Sequence, residues 1–454
     1  MTAPALSMKE LRRVVIAAAV GNVIEWYDFY IFGSLAALLS VKFFEQGPGG
    51  SALIRTVGTF TAGFLIRPLG AFVFGRVGDI VGRKYTFLIT LSGMGLSTAL
   101  IGVVPSYAKI GAAAGFILLF LRLIQGLCLG GEYGGAITYV AEHAPDEKRG
   151  YYTGWLQTSP TLGIVVSLIV IIATRELLGT EAFNAWGWRI PFLLSLLMVA
   201  IAIYIRLQLQ ETPIFQAIKA KGQTSSNPWR EAFWSQNIRY VLIASVVVIG
   251  EGVVWYSGQF WALYFIQQVQ KPDVLHPAMI TGAALLLATP SLIFFGWLSD
   301  RIGRKPIILG GFFLAAVTYY PLYTALGNAA NPASINYPLS ILIVAIMVSY
   351  VGMVYGPIGA FLAEYFPARI RYSSVSVPYH IGNGWGGGLV PVITTAAYVG
   401  AQNAGLSMSQ SLGHALVYPI VVPAVAFLLG LFLMPETRKI SIWQPAEVRA
   451  GARG

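Results

Sequence analysis

The chain has 454 residues, of which 56% are hydrophobic and only 11% charged, with a formal net charge of +11. A soluble domain carries about a quarter charged residues, so a soluble fold is excluded and a polytopic membrane protein is expected. The single cysteine, Cys128, excludes an internal disulfide and a cysteine-based metal site, and reads as a buried thiol.

The start, MTAPALSMKELRR, is polar. The apolar run after it is too long for a signal-peptide core and lacks a small-residue cleavage site, so it reads as a retained first helix. Runs of about 20 apolar residues cross a bilayer core. Twelve such runs occur, roughly at 14–40, 54–75, 85–104, 111–141, 150–174, 188–207, 238–268, 277–298, 306–326, 336–364, 372–400 and 411–434. The segment 208–237 is polar and basic and reads as a cytoplasmic linker with a short amphipathic piece around Trp229–Trp234. It separates an N-terminal six-helix half (1–207) from a C-terminal half (238–454) with a short cytoplasmic tail.

Basic residues sort by side. Arg76, Arg83, Lys84, Lys148, Arg149 and Arg301 stand in even-numbered connections, with others beside them, whereas the odd-numbered ones hold few, such as Lys42, Arg55 and Lys109. The positive-inside rule then places both termini in the cytoplasm. The surplus of positive charge is a topology signal, so a nucleic-acid role is set aside.

The halves repeat one another. GRVGDIVGRK (75–84) matches GWLSDRIGRK (296–305), AEHAPDEKRG (141–150) matches AEYFPARIRY (363–372), and QETPIF (210–215) is echoed by PETRKI (435–440). Six helices per half bring both halves into the membrane from the same side, as parallel repeats with a site expected between them near the midplane.

The duplicated Gly-x-x-x-Asp-x-x-Gly-Arg-Lys loop resembles the signature of the major facilitator superfamily, and RLIQGLCLGGEYGG (122–135) resembles its fourth-helix motif. GNVIEWYDFYIFG, FLIRPLG, WGWRIPF and LQETPIF are similar to the metabolite:proton symporters, a group that includes bacterial permeases for α-ketoglutarate, shikimate, citrate and proline/betaine. The resemblance implies an all-α polytopic fold of twelve transmembrane helices in two pseudo-symmetric halves, in the cell inner membrane. It implies proton symport of a small organic solute by alternating access, without a cofactor or an obligate protein partner. TSPTLGIV (158–165) departs from the antiporters' fifth-helix Gly-Pro-x-x-Gly-Gly motif, which disfavours the exporter or exchanger alternative. A non-transporting sensor is expected to add a signalling domain, and an enzyme needs nucleotide loops, metal clusters or nucleophile elbows that the sequence lacks.

Charges inside a span cost about 2.5–3.5 kcal/mol and mark function. Glu25 and Asp28, spaced i and i+3, share a helix face. Two carboxylates on a partly dry face cannot both ionise cheaply, so one is expected to hold a proton. Asp28, set among aromatics in WYDFY, is the expected proton carrier, with Glu25 as its charged neighbour pairing Arg122. Arg122 is implicated by the resemblance in proton coupling and is also able to grip a substrate carboxylate. Glu132 is a second proton-relay candidate or a packing residue. Arg67, two turns from a loop, is expected to snorkel.

Substrate-site candidates are Arg122, Tyr133, Glu251, Trp255 and Gln259, with Tyr379, His380 and Asn383 from the glycine-rich eleventh span. Trp261 and Phe265 are expected to face lipid. An organic acid leads, because Arg122 and His380 offer positive charge; a zwitterion such as proline or betaine is the alternative, because the carboxylates and aromatics suit an amine. The resemblance implies that Asp79 with Arg83, and Asp300 with Arg304, gate the cytoplasmic face. Glu142 with Arg149 and Glu364 with Arg371 are the expected partners at the neighbouring loops.

Overall fold

The computed structural model describes residues 8–47, 50–81, 83–207, 238–269, 275–367 and 371–442, without the side chains of 8–10, 13–14, 17, 75–87, 206 and 372–373. The linker expected at 208–237, and the side chains of Asp79 and Arg83, lie outside the described residues.

The described residues form twelve helical rods, several broken once. They are α1 (Met8–Ser34 and Ala36–Phe43), α2 (Ser51–Leu65 and Arg67–Val81), α3 (Arg83–Val103), α4 (Ala113–Leu129 and Tyr133–His143), α5 (Arg149–Leu178) and α6 (Ser195–Leu207). The second six are α7 (Ile238–Tyr256 and Ala262–Val269), α8 (Leu275–Ala288 and Pro290–Ile302), α9 (Arg304–Ala329), α10 (Tyr337–Tyr355 and Ile358–Tyr365), α11 (Arg371–His380 and Val390–Asn403) and α12 (Met408–Ala415 and Val417–Leu433). Among the described residues, eight helices are long and apolar enough to cross a membrane, and the bent pair of α12 makes a ninth if taken as one span. The polar residues explain why α11 falls short of that test: it carries His380, Asn383 and a run of glycines.

The breaks follow local chemistry. In α2 the turn at Ile66 precedes Arg67 and Pro68, and proline brings no N–H to the helix ladder. Pro290 in α8 and Pro357 in α10 do the same. Gly130, Gly131 and Glu132 interrupt α4. In α7 and α11 the interruption is a π-helical turn, Ser257–Trp261 and Ile381–Gly386, a form that recurs at functional sites.

Helix contact in a bilayer is driven by close packing, which small residues permit. A methyl group at Gly126 would strike the Gly63 carbonyl, and one at Gly130 the Arg67 carbonyl, so these α4 glycines let α4 press against α2. Gly150 of α5 and Gly296 of α8 press backbone on backbone in the same way and join the halves. The halves also meet along α2 and α11, where Thr61 Oγ1 donates to Gly388 O at 2.9 Å and Trp385 Nε1 to Leu65 O at 3.0 Å. The polar residues within the bundle are enclosed: Glu25, Asp28, Arg67, Arg122, Glu251 and His380 are all fully buried. The arrangement is an occluded one.

Candidate functional site

At the centre stands Arg67. Its guanidinium lies 5.2 Å from the ring centre of Trp26, 5.4 Å from Phe64, 5.9 Å from Phe29 and 6.0 Å from Tyr379. None of its three side-chain nitrogens makes a close, well-aligned hydrogen bond, and the Tyr256 hydroxyl is a polar neighbour. The snorkelling expected of it does not occur. The break at Ile66 and the glycine contact with α4 seat its backbone against the neighbouring helix, and cation–π attraction holds the head inward. A buried charge without well-formed hydrogen bonds costs several kcal/mol, which makes Arg67 a candidate for meeting a ligand group.

Aromatic rings wall the enclosure. Trp26 stacks on Tyr30 at 4.9 Å, and Tyr30 stacks on Trp255 of the other half at 5.5 Å. Tyr133 stacks on Tyr379, whose hydroxyl lies 3.0 Å from that of Tyr355. Gln157 donates to Tyr133 Oη at 2.9 Å and to Tyr355 O at 3.1 Å. Tyr133, Tyr355 and Gln157 thus bridge the halves beneath Arg67.

Polar groups with unused capacity face the same region. Asn383 Nδ2 donates to Glu251 Oε2 at 2.8 Å, and Glu251 Oε1 has no partner. Trp255 Nε1 and both amide atoms of Gln259 are buried without partners, and the buried His380 ring lies beside the Gly130 backbone. These are candidates named from sequence. The π-turn changes the reading of α7 beyond Gln259. Trp261 and Phe265 do not face lipid; both are fully buried against Tyr323 and Tyr398. The wider turn rotates them off the face that a regular helix would give.

Arg122 is held differently. Its Nη1 donates to Phe29 O at 3.1 Å and to Gln125 Oε1 at 2.6 Å, and the rings of Phe29, Phe32 and Phe60 surround it at 4.1–5.0 Å. It makes no ion pair with Glu25, contrary to expectation, because α1 turns the Phe29 carbonyl toward it. Gln125 Nε2 continues to Thr98 Oγ1 at 2.6 Å, and Thr98 reaches Asp28 O at 3.3 Å. The Asp28 carboxylate is fully buried, lies against Gly95 of α3, and has no hydrogen-bond partner on either oxygen. Glu132 accepts from Thr90 Oγ1 at 2.8 Å and so ties the break in α4 to α3.

At the end of the bundle where the duplicated basic loops lie, here the basic face, an ionic cluster joins the halves. Arg149 Nη1 meets Glu364 at 2.9 Å, and Arg371 Nη1 meets Glu142 at 2.8 Å. The pairs expected within each half, Glu142 with Arg149 and Glu364 with Arg371, are therefore crossed between halves. Sequence spacing favours the local pair, but α4–α5 and α10–α11 face each other and exchange partners. Arg304 also binds Glu364 at 3.0 Å and Asp300 at 2.7 Å, and Arg149 pairs with Asp146. The Asp300 carboxylate accepts the Gly150 and Tyr151 amides of the other half, each at 2.8 Å. The segment after α12 joins in: Thr437 donates to Glu364 at 2.7 Å, and Glu436 accepts from the first amides of α9. Sequence reasoning missed that contribution, although the echoed Pro-Glu-Thr motif was its signal.

Comparison with known proteins agrees with this architecture. The sugar (and other) transporter family model matches residues 14–227 and 216–448. A glycine betaine/proline/ectoine/pipecolic acid transporter of Dickeya dadantii is 32% identical over 441 residues, covering 94% of this chain and 84% of its own. The α-ketoglutarate permease of Escherichia coli is 30% identical over 442 residues, covering 94% and 95%. The crystal structure of a D-xylose–proton symporter superposes with a TM-score of 0.71 at 16% identity, covering 95% of this chain and 99% of that one, a likeness of fold. With a family model matching nearly its whole length and curated transporters at this identity, the chain belongs to the sugar (and other) transporter family of the major facilitator superfamily, multi-pass membrane carriers of small solutes.

Proposed function

We propose that the protein is a proton symporter that imports a small zwitterion, a carboxylate joined to an amine or quaternary ammonium group, of the proline or betaine kind. The observation that carries this reading is the pairing of one uncommitted cation with one uncommitted carboxylate oxygen inside an aromatic enclosure. Arg67 has no carboxylate partner among the described residues and no close hydrogen bond, and Glu251 keeps one oxygen free. Arg122, the other buried cation at this level, is committed to carbonyls and Gln125. A dicarboxylate needs two cations; a zwitterion needs one of each sign. Its carboxylate meets Arg67, whose planar fork suits that group. Its onium end lies against Trp255, Tyr30 and Tyr256 by cation–π attraction, with Glu251 behind.

The proton is carried by Asp28. A carboxyl with no hydrogen bonds in a dry site is tolerated neutral far better than charged. The Thr98–Gln125–Arg122 chain links its backbone to the aromatic ring set of the site. Asp300, Arg304, Glu142, Arg149, Glu364 and Arg371 close the basic face, which is cytoplasmic with both termini. The two six-helix units rock about the enclosed site, joined by the 208–237 segment.

The α-ketoglutarate permease among the relatives favours a second reading, an organic anion. One experiment separates them: uptake into proteoliposomes with an imposed inward proton gradient, across labelled proline, betaine, ectoine and dicarboxylates. Accumulation of the zwitterions alone supports the proposal. Accumulation of dicarboxylates alone replaces it, and accumulation that follows sodium and survives a protonophore removes the proton.

A further inference from the structure

A cavity of about 870 Å³ opens at the basic face between α1, α5 and α8, on the flank of the bundle and separate from the central enclosure. Its lining changes with depth. Arg12, Lys148 and Arg301 stand exposed at the rim. Below them α1 presents Val15, Ile16, Ala19, Val20 and Val23, faced by Leu162 of α5. The helical rise from Arg12 to Val23 is about 16 Å, roughly half the thickness of a bilayer's hydrocarbon core. Trp155 and Trp297 lie between the basic and apolar levels, as aromatic residues do at a membrane interface. The Arg301 guanidinium rests 4.0 Å over the Trp297 ring, which fixes it at the rim.

The rim is positive. Of its two acidic residues, Asp300 is engaged by the Gly150 and Tyr151 amides and by Arg304, which leaves Glu147 alone to balance three cations. A soluble phosphate or nucleotide would use this rim and leave the apolar wall idle. An amphiphile with an anionic head uses both. We propose that the cavity binds an anionic phospholipid, its phosphate at Arg12, Lys148 and Arg301 and one acyl chain along α1. Two walls belong to the first half and the third, α8, to the second, and Tyr151 lines the cavity while its amide is held by Asp300. The site exists whole only while the basic face is closed. A ligand that binds one conformation better shifts the population toward it, so the lipid favours the closed basic face.

The test uses the full chain in nanodiscs of phosphatidylcholine with graded phosphatidylglycerol or phosphatidylethanolamine. Lipid retained after gentle delipidation is counted by native mass spectrometry, and exchange of the Gly150 and Tyr151 amides is followed in the same particles. Retention of phosphatidylglycerol over the other two lipids is expected, with slower amide exchange as its fraction rises. Arg12→Gln with Arg301→Gln should lower that retention on the order of tenfold. Leu162→Trp, which fills the apolar level and keeps the rim charges, should lower it as well. Equal retention of the three lipids, preference for phosphatidylethanolamine, wild-type retention in both variants, or displacement by inorganic phosphate overturns the proposal. Neither readout needs a transported substrate, so failure of the symport reading is distinguishable from failure of this one.

Discussion

Arg149 and Glu364 come from different halves, are both fully buried, and meet at 2.9 Å. Glu364 also neutralises Arg304 at 3.0 Å. Removing one partner of a buried pair costs about 3–5 kcal/mol, and here two guanidinium groups lose a shared carboxylate, Arg149 keeping Asp146 and Arg304 keeping Asp300. Glu364→Gln should therefore depopulate the closed basic face by roughly a hundredfold or more. Hydrogen exchange at the Gly150 and Tyr151 amides, which Asp300 holds only in that state, reads the change; unaltered exchange refutes the assignment.

Asp300→Asn should slow turnover while leaving substrate affinity near wild type. The carboxylate takes two amides and Arg304 at once, and a carboxamide supplies one acceptor oxygen in their place. Equilibrium binding and initial uptake rates, compared at matched expression, check it; equal transport in variant and wild type removes the gating role.

Arg67→Gln should weaken substrate binding by about ten- to a hundredfold, the order expected when a charge-assisted hydrogen bond worth about 1.5–3 kcal/mol is lost with its fork geometry. Arg67→Lys should recover little, because a point charge does not reproduce the planar fork. Calorimetric titration decides, and near-wild-type affinity in the lysine variant contradicts bidentate docking.

Asp28→Asn imitates a permanently protonated carboxyl. Exchange of external for internal substrate should continue, whereas uphill accumulation should vanish and binding should lose its pH dependence. Continued accumulation against a gradient moves the proton to another carboxylate, with Glu132 next in line.

Gly126→Ala and Gly130→Ala should each destabilise the protein by about 1–3 kcal/mol, the usual cost of overpacking, because the added methyl meets an α2 carbonyl in both cases. Thermal unfolding in detergent measures this. Gly413→Ala, where nothing lies within 4 Å of the added carbon, is the neutral control.

Much of the fold was legible in sequence because hydropathy and repetition are properties of the chain itself. The spans, the duplicated loops and the site candidates on α7 and α11 all follow from local pattern. Three of the readings that failed did so for a common physical reason. Arg67 looked like a snorkelling residue because distance to a loop was the visible quantity, while the break at Ile66 and the ring cage were not. Trp261 and Phe265 looked lipid-facing because a regular helix was assumed through a π-turn. The ion pairs were expected within each half because sequence shows neighbours along the chain and hides those across an interface.

The crossed pairs at the basic face have a consequence for the energy of opening. Arg149 Nε already reaches the Ala141 carbonyl at 3.5 Å, and Arg371 Nε reaches the Ala363 carbonyl at 2.9 Å. In each case the next residue along is the glutamate of that arginine's own half, Glu142 or Glu364. When the halves part, each arginine has a carboxylate of its own half beside a carbonyl that it holds beforehand. Separation then trades one set of neutral couples for another and leaves no bare charge on either surface. A gate built in this manner is sensitive to a mutation that deletes one member and yet light to the normal cycle, since the two ledges it divides are each self-neutralising.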